Sequence, residues 1–457
     1  MKKFTFATAL LCCFVLTTNA QSLDRFITQS DSNQFVELAK VFQGISTPVD
    51  LEFYPLPDRP NELWVLNQGY VNSGGHTVIL HDATSDNPDD EYIKDGNAWH
   101  FMAMASALSF GDDGNWATSQ DIIDANRSGY NFTGPTLWPG DLTIYGIVGN
   151  PPTAAYNGSH LDMVHQTPYG KGIAHEKDNV YWIFDGYSST ITRYDFKADH
   201  GPGQDYHGDA VVHRFDEIQV NRHSSLPSHM VVDKDNNWLY IVHTTAGEII
   251  RLDVTSGQRD QTLPKISNEP LADYASYTGA TFETIIDQGL VNPVGIALDD
   301  DFLIVTDNAT AEIVLFDRNN DFAEVGRIAL DYNNNPDVMG IEIGPDGNLY
   351  FVDYDNKLVM RLENNAFPTG IEETSPLSVK LQPNPAVQGQ SRLQLGQPLE
   401  EGQLQIWDIT GRLITSTPIN GQQHIPMDVS DFGKGLYLVE LTTPAGQLLW
   451  SGKLLHP

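Results

Sequence analysis

Pro293-Val-Gly-Ile-Ala-Leu-Asp299, Phe302-Leu-Ile-Val-Thr-Asp307 and Glu312-Ile-Val-Leu-Phe-Asp317 follow one another with two and then four residues between them. Each run is too short for a stable helix, rich in β-branched residues, and closed by an aspartate beside a turn. They read as three strands of one small sheet. The design returns as Met339-Gly-Ile-Glu-Ile-Gly-Pro-Asp346, Asn348-Leu-Tyr-Phe-Val-Asp353 and Leu358-Val-Met-Arg-Leu-Glu363. It is present again from Pro227 to Asp253 and from Gly172 to Asp195. Weaker copies begin at Val49 and at Ala105, the latter with Leu142-Thr-Ile-Tyr145 as its expected third strand. Six copies therefore lie between about 45 and 365, with long insertions in copies two and three and ahead of copies four and five. A lone three- or four-stranded sheet cannot bury both of its faces, whereas radial stacking buries both and leaves only short protected edges. The expected fold is all-β: a six-bladed β-propeller followed by a small C-terminal β-sandwich.

The Pro-x-Gly-Ile-Ala first strand, Leu-Tyr-Val-x-Asp-like second strand and Ile-x-x-Phe-Asp third strand resemble the NHL-repeat propellers, most closely at 293–317 and 338–363. The segment Leu23 to Lys40 reads either as a helix or as an outer strand that closes the ring.

The ends of the chain carry addresses. Lys2 and Lys3, the apolar run Phe4 to Leu16 and the small residues before Ala20 read as a signal peptide over 1–20, cut at Ala20/Gln21. That run is shorter than a membrane span, and no later segment is long and apolar enough to cross. Domain boundaries are expected at 21–370 for the propeller and 377–457 for the sandwich, with Ile371 to Pro376 as linker. The tail carries Pro383-Asn-Pro385, the turn Asp408-Ile-Thr-Gly-Arg412 and the strand Gly435-Leu-Tyr-Leu-Val-Glu440. It resembles the type A C-terminal sorting domain of the type IX secretion system. The resemblance implies the secretion machinery as a partner, passage through the outer membrane of a Bacteroidota-type cell, and release or attachment at the surface.

The chain holds 26 basic and 60 acidic residues, a formal charge of −34. Nucleic acid is excluded as a natural partner, because phosphate neutralisation needs a basic patch. Both cysteines, Cys12 and Cys13, lie in the leader, so the exported part must be stable without disulfides. At over four hundred residues it has the interior to do so.

Histidines are the informative side chains, and most fall between 160 and 243. His229 takes the place of Gly172, Gly295 and Gly340 near the start of an innermost strand, where it should face the axial channel. His160, in Ser159-His-Leu-Asp-Met-Val-His165, is expected to look into the same space, with His165 and His100 as further candidates. Imidazoles from separate blades suit a transition metal such as zinc. Asp162 is a candidate to orient a ligand from behind, while His207 and Asp209 lie in a glycine-rich loop that either binds a ligand or links two blades. His175 suits a turn role, and His243 replaces the strand-end Asp of 185, 307 and 353. The Asp-rich turns at 111–115, 233–237 and 344–348 lack the ligand spacing of a calcium loop and read as Asx turns, so calcium is the less expected ion.

Two functions fit. One is a secreted propeller that binds a small molecule, surface glycan or peptide and holds a metal ion in its channel. The other is a metal-dependent lyase or hydrolase acting on a small extracellular substrate at the channel mouth. NHL-like propellers include the peptidylglycine amidating lyases, and that resemblance implies His229 as one axial zinc ligand. Gly295 and Gly340 depart from that pattern, since they stand where further histidines would be.

Overall fold

Pro293–Leu298, Phe302–Asp307 and Glu312–Asp317 are strands, and Ala323–Ala329 pairs outside them as a fourth. Their order across the sheet is their order in the chain, each antiparallel to the last, which short turns permit. The structure, a computed structural model, describes residues 22–364 apart from 127, 154–155, 205 and 207. It also describes 379–457 apart from 388, 400, 409–411 and 444–447. The expected signal peptide and the 371–376 linker lie outside the described residues.

Six sheets of this kind make a six-bladed β-propeller. Their innermost strands are Pro48–Phe53, Ala105–Phe110, Gly170–Lys177, Met230–Asp233, Pro293–Leu298 and Val338–Ile343. Apolar side chains fill the wedges between neighbouring blades, as where Trp64, Phe110, Trp116, Trp138 and Tyr145 pack together between blades one and two. Tyr145 belongs to a turn: the third strand of blade two is Thr136–Trp138, and the strand expected at 142–145 is not formed. The edge of the second strand is already taken by Thr136–Trp138, which pairs with Trp116 to Thr118.

A polar residue ends most second strands for one reason. Its side chain accepts hydrogen bonds from the N–H groups of the segment that leads into the same blade. Asn67 accepts from Ser46 and Thr47, Gln120 from Ala103, Asp307 from Val291 and Asn292, and Asp353 from Asp337. His243 does this with Nε2, accepting from Asn221 at 3.0 Å. Asp185 instead holds its own turn, at Tyr187 and Ser188.

The leading segment supplies both alternatives: a short helix, Arg25–Thr28, and the strand Asn33–Ala39. That strand pairs antiparallel with Leu358–Asn364 and completes blade six, closing the ring. The insertion ahead of blade five lies within blade four. Its strands Gln258–Thr262 and Asp273–Thr278 join the outer edge of blade three, Asp273–Thr278 running parallel to Val211–Phe215.

The chain divides into two units, Met1–Asn365 and Ala366–Pro457. The second is a sandwich of a three-stranded and a four-stranded sheet around Leu393, Leu404, Ile406, Val439 and Leu454. Its motifs have local work. Asn384 donates to the Lys453 carbonyl at 2.6 Å and accepts from the Leu455 N–H at 3.0 Å, while Tyr437 donates to the Gly433 carbonyl at 2.6 Å.

Candidate functional site: the axial channel

Register fixes which side chains face the axis. Leu51, Leu108, Ile173, Met230, Ile296 and Ile341 pair with equivalent residues of their second strands. One place before them stand Asp50, Ala107, Gly172, His229, Gly295 and Gly340. Four of these six are Gly or Ala because the next blade passes so close. A Cβ on Gly295 would lie 2.4 Å from the Met339 carbonyl oxygen, and one on Gly340 2.6 Å from Asp50 Oδ1.

The two exceptions meet across the axis. His229, from blade four, donates Nε2–H to the Ser106 carbonyl of blade two at 3.1 Å. Its Nδ1 is 3.4 Å from Asp50 Oδ1 of blade one. Asp50 in turn accepts the N–H of Leu51 and that of Leu108, each at 2.9 Å. Burial raises the Asp50 carboxyl and the nearby His229 opposes the rise. This bridge ties three blades together at one level of the channel.

Two residues further along, the axial positions are Glu52, Ser109, Ala174, Val231, Ala297 and Glu342. Here two carboxyls from adjacent blades stand side by side. Burial, followed by the neighbouring Glu342, holds Glu52 well above the usual carboxylate range. Burial, with a contribution from Asp50, pushes Glu342 up to about 8. The Phe110 N–H binds Glu52 Oε2 at 3.1 Å, and the Ile343 N–H binds Glu342 Oε1 at 3.1 Å. Around them is a cavity of about 120 Å³, lined by the inner strands of all six blades. At one side Lys234 Nζ donates to Asp112 at 2.5 Å and to His175 Nδ1 at 2.9 Å, while His175 Nε2–H binds the Asp178 carbonyl at 2.8 Å. His175 thus has the expected turn role and lines the cavity as well.

The structure does not bring His229 and His160 together. His160 stacks on Phe101 with ring centroids 3.5 Å apart, and its Nε2 meets the Gln204 carbonyl at 3.1 Å, beside the outermost strand of blade two, Asp162–Met163. His165 and His100 belong to this second place, with ring centroids 5.6 Å apart. His165 Nδ1 pairs with Glu269 at 2.8 Å. Asp162 starts the outer strand there and accepts the Met163 N–H at 2.7 Å, far from a role behind His229. The physical reason is topological: 159–165 feeds a fourth strand, the rim of its blade, whereas the axis belongs to first strands. Asp209 is bound by His200 Nε2 at 2.9 Å, a contact that closes its own loop; His207 lies outside the described residues. Among the described residues no three His, Asp or Glu side chains stand close enough to share a metal ion. The Asp-rich turns are Asx turns, Asp113 capping Asn115 and Asp346 capping Asn348.

Sequence reasoning missed Asp50, Glu52, Glu342 and Lys234. The signal was available: Glu342 follows Gly340 by two residues and Glu52 follows Asp50 by two, the spacing that keeps one face of a strand.

A closed ring of six blades around a polar axis defines a β-propeller protein. The tail then says where it goes: residues 380–451 match the secretion system C-terminal sorting domain. The protein is a type IX secretion cargo, exported and either released or attached at the cell surface. No helix among the described residues is long and apolar enough to cross a membrane. Similar solved structures include an auxiliary nutrient binding protein from Bacteroides ovatus, 11% identical over 73% of this chain and 76% of that one, with a TM-score of 0.45. Streptogramin B lyase is 13% identical over 73% of this chain and 98% of its own, with a TM-score of 0.42. The nidogen/laminin complex is 10% identical over 65% and 85%, with a TM-score of 0.41. No curated protein shows a sequence match to the chain.

Proposed function

We propose that the propeller is a secreted binding protein that takes a small cation, an alkylammonium head in preference to a metal ion, between Glu52 and Glu342. The observation that carries this reading is the pair of half-buried carboxyls from adjacent blades, both raised, in a cavity of about 120 Å³. Burial disfavours the charged form of both carboxyls and raises Glu342 to about 8, so a cation bound between them would favour their ionisation. The cavity has room for an ammonium group and a few carbons. Binding is favoured over bond cleavage because both ring nitrogens of His229 already face protein groups.

Calorimetric titration of the full chain with ammonium, methylammonium, putrescine, Zn²⁺ and Ca²⁺ tests this. An amine should bind more tightly as pH rises through about 8, with protons released, and should lose most of its affinity in Glu52→Gln and Glu342→Gln. Stoichiometric metal binding abolished by Glu342→Gln would replace the amine by a metal. No cation binding at millimolar concentration above pH 8 would end the reading.

A further inference from the structure

The cavity that holds Glu52 and Glu342 has a second wall of opposite character. Each blade packs against the next and the sixth against the first, so blade four lies across the axis from blade one, and blade three from blade six. The two carboxyls come from the innermost strands of blades one and six. Lys234 follows the innermost strand of blade four, Met230–Asp233, and its partner His175 belongs to that of blade three, Gly170–Lys177. We propose that the channel ligand is a small amino acid, held by its ammonium between the two carboxyls and by its carboxylate at Lys234. The inference rests on the cation reading of the same cavity and adds the other half of the ligand.

Lys234 is positioned as a donor. An ammonium carries three N–H groups. Nζ gives one to Asp112 at 2.5 Å and one to His175 Nδ1 at 2.9 Å, which leaves the third for a ligand. His175 is fixed in the tautomer that accepts it, because its Nε2–H is bound to the Asp178 carbonyl at 2.8 Å. The side chains of Lys234 and Asp112 are 44% and 64% exposed. An ion pair so open to water adds little to stability, so its effect is to hold the ammonium in place. Lys234 is the one lysine or arginine among the described residues of the lining. Its charge is near enough to Glu52 to oppose the rise that burial imposes there. Ser109 lines the cavity level with the two carboxyls and accepts the His175 N–H at 3.1 Å. Its own proton serves as a second donor to a carboxylate.

Polarity and size together name the ligand class. A ligand bearing only a cation meets Lys234 as a like charge, and one bearing only an anion meets the carboxyls. A zwitterion with its charges at opposite ends suits both walls. The His229–Asp50 bridge crosses the axis at one end of the cavity, and Lys234, open to water, stands at the other. The ammonium therefore goes in first and the carboxylate stays at the mouth. A dry cavity of about 150 Å³ takes up benzene, a molecule of about six heavy atoms. By that measure the cavity here, about 120 Å³, suits glycine, with the slightly longer β-alanine reaching the mouth.

The test is calorimetric titration of the full chain with glycine, L-alanine and β-alanine, beside methylammonium, ethylammonium, acetate and propionate. At least one amino acid should bind about tenfold or more tightly than the amine of matching length, the order expected of one charge-assisted hydrogen bond. Lys234→Met should bring those two affinities together, and Ser109→Ala should narrow the gap in part. Lys234 is half-exposed, so its variant should melt with the parent. Amines that bind with no gain for any amino acid, or a gain that survives Lys234→Met, would overturn the zwitterion and leave the cation reading standing. Binding of the carboxylates alone, or of none of these ligands at millimolar concentration, would end both.

Discussion

Glu342 occupies a position that is alanine in blades three and five, at Ala174 and Ala297, and its consequence is a measurable linkage to pH. The carboxyl has an ordinary value of 4.5 and is raised to about 8 in the folded chain. Between those values the native state holds more protons than the unfolded one. The stabilising contribution is whole below pH 4.5 and is lost as pH climbs through about 8. The protein should therefore lose stability from about pH 4.5 to about pH 8, by up to about 1.4 kcal/mol per pH unit for each such group. Glu342→Gln is neutral throughout and should flatten the slope, leaving the share of Glu52. Urea midpoints across that range decide it, and parallel curves for the two proteins would mean that Glu342 enters the folded state ionised. At this scale the sequence was legible in part. The alignment of His229 with Gly295 placed it on the axis, because a repeat fixes register. The assignment of His160 to the same space failed, because local spacing does not say which strand of a blade a residue will join.

Closure is decided by one strand of seven residues, Asn33–Ala39. Without it Leu358–Asn364 would present unpaired N–H and C=O groups along its edge, and the ring would open between blades six and one. Asn364 reinforces the join. Its side-chain amide reaches the carbonyls of Arg25 at 3.1 Å and Gln29 at 3.0 Å and the Asn33 side chain at 2.7 Å. Removing residues 22–39 should abolish cooperative unfolding and expose apolar surface, read as dye binding and a broadened melt. A sharp melt close to that of the intact protein would show that six three- or four-stranded blades close without it. The choice between helix and strand here was not readable from the segment alone. Its burial pattern is irregular, and the partner that selects the strand lies over three hundred residues away.

For the whole molecule, each unit has its own core: the propeller wedges on one side, and Leu393, Leu404, Val439 and their neighbours on the other. A chain ending near residue 370 should therefore fold and melt within a few degrees of the full chain, since few stabilising contacts are shared between self-contained domains. The same truncation removes the sorting domain at 380–451 and should leave the protein inside the outer membrane. Fractionation of cells together with a calorimetric melt reads both outcomes. An aggregated truncate would make the tail part of the propeller's core, and a secreted one would remove the address from the tail.

The sequence by itself determined the blade count, the innermost strands and the tail, because each is written as a local pattern. Alternating apolar residues set strands, Asp and Asn set turns, and repetition sets register. It also determined the strand-end acceptor, which even His243 serves. Tertiary structure alone decided what meets what. The Asp50–His229 bridge joins blades one and four, and the Glu52–Glu342 pair joins blades one and six. The second arises because the ring closes and brings first and last copies side by side, and the first because blades on opposite sides of the ring meet at its axis. The contact of Glu269 with His165 arises because an insertion of blade four folds back onto the edge of blade three. Such encounters depend on loop paths and closure, and no window of sequence contains them.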